Sequence, residues 1–402
     1  MSVHWLIKRL FLPFSVALLG AILLFLGFSR TSPSPFRRPA NGPFSSGGDS
    51  LQHVFNQTLG FQKIFVINLL SRTDHRDSMS LAAALTDLRI DYVDGVTEVD
   101  KKYLPPGGKE VNLDSGGLGN WRAHMNIARM LIEQNVTSAL ILEDDADWDI
   151  RIKRQMRDFA KASRLLVQPL SGTSDRFLDP THPQPKEDQR PQDFDIRKDV
   201  TGEPSTSPYG DIDRWDLFWL GHCGRRFPRA SDRNVPLGRA VIYDDETVPE
   251  PQHVMTQFGD SELVQNYPAH TRVVSRAWMN TCTMGYGISL PGARRLLYEL
   301  SVNKMTGPTD MMFRSVCHGS EGRPVQTCLT VQPQLFQHHR PVGYKSSFSD
   351  ISDHGADYNK QAFTRNVRWS TRVNFRKLVD GLTDYIDLFK DGEEADSNLG
   401  FK

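Results

Sequence analysis

The stretch Ala139-Leu140-Ile141-Leu142-Glu143-Asp144-Asp145-Ala146-Asp147-Trp148 sets four carboxylates within five residues, directly behind an apolar run. An unbroken apolar run such as Ala139–Leu142 reads as a strand buried on both faces, the kind found in parallel sheets covered by helices. Open sheets of that type bind ligands outside the carboxyl ends of their strands, which is where these acids emerge. If the strand continues, side-chain alternation sets Glu143, Asp145 and Asp147 on one face and Asp144 on the other. Two carboxylates about 4 Å apart repel by roughly 4 kcal/mol at an effective dielectric near 20, so a divalent cation is the natural occupant. Hard oxygen ligands favour Mg²⁺ or Mn²⁺, which bridge carboxylates to phosphates. A solvated acidic turn is the plain alternative.

The flanking pattern agrees with a strand-helix alternation. Lys63–Leu69 reads as a strand, Asp74–Leu88 as a helix with Met79, Ala82, Ala83 and Leu85 on its apolar side, and Ile90–Val93 as a second strand. Asn120–Gln134 reads as a helix, its stripe of His124, Ile127, Ala128 and Leu131 following the i, i+3, i+4, i+7 spacing. Trp215–Gly221 and Cys282–Leu290 read as further strands, and Pro291 opens a helix running to about Val302. The expected class is α/β, with a mostly parallel sheet flanked by helices. Residues 170–212 and 225–260 are polar and irregular and read as insertions, the first as a long mobile loop.

The amino terminus differs in kind. Leu10–Phe28 is 19 uncharged residues long, sufficient to span a bilayer as a helix, with Lys8 and Arg9 before it. A cleaved signal peptide is the rival, though no small-x-small cleavage site follows the apolar core. The expected organisation is a cytosolic tail over 1–9, a transmembrane signal anchor over 10–28, a Ser/Pro/Gly-rich stem over 29–60, a catalytic domain over 61–390 and a polar tail over 391–402. Asn56-Gln57-Thr58 and Asn135-Val136-Thr137 are glycosylation acceptors, consistent with a lumenal, single-pass type II protein of the endoplasmic reticulum or Golgi membrane. Cys223, Cys282, Cys317 and Cys328 allow three complete pairings. With 48 basic and 48 acidic residues, and no basic run interleaved with aromatics, nucleic acid is not an expected partner.

Several blocks taken in order resemble glycosyltransferase family 25, the lipopolysaccharide and procollagen galactosyltransferases. They are Val66-Ile67-Asn68-Leu69 with Arg72, Asp74 and Arg76; Gly116, Gly119 and His124; Leu140–Asp145; Gly285–Ser289 with Gly292-Ala293 and Leu296-Leu297; Gly307-Pro308-Thr309-Asp310; and Pro333, Leu335, Gln337 and Ser349-Asp350-Ile351. Ala123 departs from the family's Ser before His124. The resemblance implies a GT-A (Rossmann-like) fold, a UDP-sugar donor, galactose favoured, a divalent metal, Mn²⁺ favoured with Mg²⁺ as the alternative, a glycan or glycoprotein acceptor, and inversion at the anomeric carbon. A catalytically inactive lumenal binding protein on the same scaffold is the alternative; a two-metal phosphohydrolase would need further His/Asp clusters at suitable spacing.

Transfer from such a donor requires charge stabilisation on the departing diphosphate and removal of a proton from the acceptor hydroxyl. Asp145 is the expected metal ligand, with Asp147 as a second. Glu143 and Asp144 are expected at the donor's ribose or at metal-bound water, with Asn68 and His124 also on the donor side. Arg72 and Arg76 follow the first strand where a diphosphate would sit, and guanidinium suits bidentate phosphate contact. Asp310 is the expected general base; as the start of a helix at Met311-Met312-Phe313, it reads equally as a cap. Of His338 and His339, which point apart on a strand, at most one can join a metal.

Overall fold

The computed structural model of the chain describes residues 50–256 and 261–395. Leu10–Phe28, the stem up to residue 49 and the end of the tail lie outside the described residues. Among those described, no helix is long and apolar enough to cross a membrane.

The globular part begins earlier than the composition indicates. Ser50–Phe55 forms a helical turn whose Leu51 and Val54 are buried. The chain then builds β1 (Lys63–Asn68), α1 (Thr73–Leu85), β2 (Asp91–Asp94), α2 (Ser115–Glu133), β3 (Ser138–Glu143), β4 (Ala146–Trp148) and α3 (Ile152–Val167). The second half adds β5 (Asp193–Asp195), β6 (Leu217–Gly221), β7 (Arg239–Ile242), β8 (Arg272–Arg276), β9 (Gly285–Ser289), α4 (Leu290–Leu297) and α5 (Thr309–His318). It closes with β10 (Cys328–Gln332), β11 (Phe336–Arg340), a small hairpin of β12 (Gly343–Tyr344) and β13 (Tyr358–Asn359), and β14 (Phe363–Thr364).

The main sheet runs β2-β1-β3-β9-β6-β10-β8-β7-β5. β1 pairs in parallel with β2 and β3, and β6 in parallel with β10. β9 enters antiparallel between β3 and β6. Alternate residues of the strands face two cores. Ile64, Val66, Leu140 and Leu142 meet α1 and α3 on one side, while Phe65, Ile141, Tyr286 and Ile288 meet α2, α4 and α5 on the other. This is the α/β layering expected from the apolar run, with the acids at the end of β3.

Two differences have local causes. α2 starts at Ser115 rather than Asn120, because the Asp114 carboxylate caps it by accepting the Gly117 N–H at 2.7 Å. The polar segments expected as irregular supply β5 and β7, which extend the far edge of the sheet through β8. Strands of three and four residues, one of them Asp-Phe-Asp, carry too little alternation to be read from sequence. At Gly119 a Cβ would lie 1.9 Å from the Val96 carbonyl oxygen, so only glycine lets α2 approach the loop after β2.

The four cysteines form Cys223–Cys282 and Cys317–Cys328. Burial pushes His222 down to about 3 and His182, His318 and His339 down to about 4 from an ordinary 6.5. Each is neutral in the fold and charges more readily in the unfolded chain. Their contribution is therefore intact above pH 6.5 and lost as pH falls towards 4. Asp149, pushed up to about 6 by burial, works in the opposite sense between its ordinary 3.8 and about 6. The histidines outnumber it, so the melting temperature should fall by on the order of 10 °C between pH 7 and pH 4 by scanning calorimetry.

Candidate functional site

A cleft of about 1030 Å³ opens at the carboxyl ends of β1 and β3. Glu143, Asp144 and Asp145 line it, facing the Gly95–Thr97 loop, the start of α2, Asp310 at the start of α5, and the Lys345–Ser352 segment.

After Glu143 the chain does not continue as a strand. Asp144 and Asp145 form a turn, and β4 resumes antiparallel to β11, with Asp147 opposite Gln337 and Ala146 opposite His338. That pairing delivers His338 to the acids. One ligand atom each from Glu143, Asp145 and His338 lies within 4.8 Å of the others, with His338 Nε2 3.8 Å from Asp145 Oδ2. Burial would raise the Asp145 carboxyl, but the neighbouring His338 and His75 rings and the Arg340 and Arg372 guanidiniums hold it below its ordinary value. Burial also holds the His338 imidazole below its ordinary value, against the pull of Asp145, leaving a neutral ring with a lone pair. Two carboxylates and an imidazole are a donor set that fits a divalent cation.

Each acid is held separately. Glu143 Oε1 accepts the Thr283 hydroxyl at 2.8 Å. Asp144 takes the Asn68 Nδ2–H at 2.7 Å on one oxygen, and His75 Nδ1 lies 2.8 Å from the other. Asp145 Oδ2 lies 3.4 Å from Arg340 Nη1. Asp310 Oδ2 accepts the Cys282 N–H at 2.9 Å, and Oδ1 lies 2.8 Å from the Met311 nitrogen. Asp310 thus lines the cleft while engaging the first turn of α5.

Other expected residues lie elsewhere. Asp147 is a correction: it is fully buried and turned away from the cleft. Its carboxylate accepts the Thr364 hydroxyl at 2.6 Å, the Ser370 hydroxyl, and the backbone N–H groups of Trp148 at 2.8 Å and Arg372 at 3.2 Å. The turn at Asp144-Asp145 breaks the alternation that would have aligned it with Asp145. An Asp147→Ala change leaves these buried donors without an acceptor and should destabilise the fold by about 3 kcal/mol, read by chemical denaturation, with cation affinity unchanged.

His124 is in the interior, 0 % exposed, with Nδ1 3.0 Å from the Tyr286 hydroxyl and Nε2 3.3 Å from Thr283 Oγ1, and it meets the site at Glu143 Oε1, 3.4 Å from Nε2. Asn68 is buried; its side chain meets the cleft at Asp144, and its carbonyl accepts the N–H of the cleft-lining Gly95 at 2.8 Å. Arg76 lays its guanidinium over the Tyr92 ring, 4.0 Å from the centroid, instead of facing the cleft. Arg72 is bound by Asp74 at 2.9 Å and Asp350 at 2.6 Å and donates to the Ser347 carbonyl at 2.9 Å, so it clasps the cleft-lining segment. His75, Thr283 and Arg340 belong to the site and were not expected there; among them only His75, between Arg72 and Arg76, carried a sequence signal. A second group that can hold a cation, Glu250, His270 and Asp391, lies outside the cleft, with Asp391 paired to Arg368 at 2.9 Å.

No protein-family model matches the chain. It is similar to procollagen galactosyltransferase 1 of Danio rerio, 29% identical over 122 residues, which make up 27% of this chain and 20% of that protein. It is similar to procollagen galactosyltransferases 1-B and 1-A of Xenopus laevis, 33% identical over 115 residues and 31% over 114, each 25% of this chain and 18% of the relative. The chain thus matches about a fifth of the length of these curated relatives. This is distant homology, and it supports a glycosyltransferase-like relationship.

Proposed function

We propose that the chain is a metal-dependent, inverting hexosyltransferase of glycosyltransferase family 25 with a GT-A fold, moving galactose from UDP-galactose to a hydroxyl of a glycan or glycoprotein. The observation that carries this reading is the meeting of Glu143, Asp145 and His338 in one cleft with Asp310. Glu143, Asp145 and His338 would hold Mn²⁺, with Mg²⁺ as the alternative. When bound, the cation supplies Lewis-acid stabilisation of the departing diphosphate. Asp310 receives the proton of the acceptor hydroxyl as that oxygen attacks the anomeric carbon from the face opposite the leaving group, which inverts the centre. Asp144, fixed by Asn68 and His75, orients the turn that presents Asp145. Arg72 holds the Lys345–Ser352 side of the cleft through Asp350 and Ser347.

We place the catalytic domain in the lumen of the endoplasmic reticulum or Golgi, anchored through Leu10–Phe28. Two disulfides support an oxidising compartment, and Asn56 and Asn135 are both exposed. The test is UDP or GDP release from a panel of nucleotide sugars, with Mn²⁺ and Mg²⁺, on glycan and glycoprotein acceptors. Release from UDP-galactose with Mn²⁺ is expected; release from none of the donors with either metal would sink the reading.

A further inference from the structure

One short segment touches both halves of the proposed chemistry. Cys282 donates its backbone N–H to Asp310 Oδ2 at 2.9 Å, and the next residue, Thr283, donates its hydroxyl to Glu143 Oε1 at 2.8 Å. The Met284 carbonyl accepts the Glu143 N–H at 3.0 Å. Thr283 is 4 % exposed, so water does not substitute freely for its hydroxyl.

The direction of this network follows from its end. The Thr283 hydroxyl gives its one hydrogen to Glu143 Oε1 and has lone pairs left for His124. His124 Nε2 lies 3.3 Å from Thr283 Oγ1 and 3.4 Å from Glu143 Oε1, and its Nδ1 lies 3.0 Å from the Tyr286 hydroxyl. The buried Tyr286, His124 and Thr283 thus back the Glu143 carboxylate from the interior, His124 both directly and through Thr283.

The segment is pinned from outside. Cys282 is bonded to Cys223, and its carbonyl accepts the Trp219 indole N–H at 2.7 Å. Cys223 N–H donates to the Thr281 carbonyl at 2.9 Å, and Thr281 N–H to the Gly224 carbonyl at 3.1 Å. Cys282 itself has φ +60°, a left-handed conformation that a residue with a side chain keeps only when its surroundings enforce it.

We propose that Cys282 and Thr283 are positioning residues that fix Asp310 relative to the Glu143–Asp145–His338 cluster, with the Cys223–Cys282 disulfide as their anchor. This rests on the assignment of that cluster and Asp310 as the working groups. Thr283 acts on the cluster and Cys282 on the base, so their losses separate.

The experiment uses the full chain. Mn²⁺ affinity is measured by titration calorimetry for the parent, Thr283→Val and Thr283→Ser. The valine variant should bind Mn²⁺ about tenfold more weakly, or worse, and serine, which keeps the hydroxyl, should recover most of that loss. At saturating Mn²⁺, which offsets any weakening of the cluster, a Cys223→Ser/Cys282→Ser variant should lose about tenfold or more in kcat with the donor KM within about twofold, because the proton acceptor is displaced while the donor still binds. Thermal melting checks the fold of each variant, and the threonine pair decides the matter if the cysteine variant does not fold. Parental Mn²⁺ affinity in Thr283→Val, or parental kcat in a folded cysteine variant, would overturn the proposal and leave the transferase reading standing. A parent chain that neither binds Mn²⁺ nor releases nucleotide would overturn the transferase reading, and this proposal with it.

Discussion

Asp145→Asn is expected to lower sugar transfer about a thousandfold with little change in melting temperature. The side chain sits in the cleft wall, 15 % exposed, near His338 and Arg340, and asparagine keeps its size. Loss of charge at this position removes the ligand that both His338 and Arg340 face. Metal-assisted departure of a diphosphate is worth several kcal/mol, and about 4 kcal/mol corresponds to roughly a thousandfold in rate. Donor-dependent nucleotide release in saturating Mn²⁺, with calorimetric melting alongside, reads both quantities. A folded variant that keeps a tenth of the parental rate would remove Asp145 from the chemistry.

The second large effect is expected at Asp310. Asp310→Asn should cut kcat for transfer by about 10²–10⁴, the range for losing a general base. Donor KM and Mn²⁺ affinity should stay within about twofold, because Asp310 is not one of the residues grouped with Asp145 and His338. The asparagine carbonyl can still accept the Cys282 N–H, so the start of α5 should hold. Full transfer rate in this variant would assign Asp310 to helix capping alone. The pairing of the two changes is informative, since one acts on leaving-group departure and the other on the acceptor's proton.

What the sequence made legible was local. The buried run Ala139–Leu142 is followed at once by its acids, and β1, α1, α2 and β3 lie close to where periodicity locates them. Glu143, Asp144 and Asp145 reach the cleft because they are consecutive at a strand end. What escaped depends on chain direction or on long-range pairing. A continuing strand would put Asp147 beside Asp145, and a two-residue turn reverses that. His338, one of the two adjacent histidines open to a metal role, joins the acids because β11 lies along β4, a pairing between segments far apart in the chain. Arg72 and Arg76 stand near the end of β1 as expected, yet Asp350 claims one guanidinium and the Tyr92 ring the other. His124 is buried with its apolar stripe, yet its ring stands 3.4 Å from the Glu143 carboxylate. Thr283 carried no signal at all, since a threonine in a strand-like stretch reads as ordinary packing.

One cation site in the cleft underlies the proposed chemistry, and Mn²⁺ titration of the full chain addresses it most directly when two variants are compared. His338→Ala removes a cleft ligand, and His270→Ala removes the imidazole of the group outside the cleft. The expected result is a Mn²⁺ affinity reduced at least about tenfold in His338→Ala and unchanged in His270→Ala. Binding that survives His338→Ala, or that disappears with His270→Ala, would contradict it.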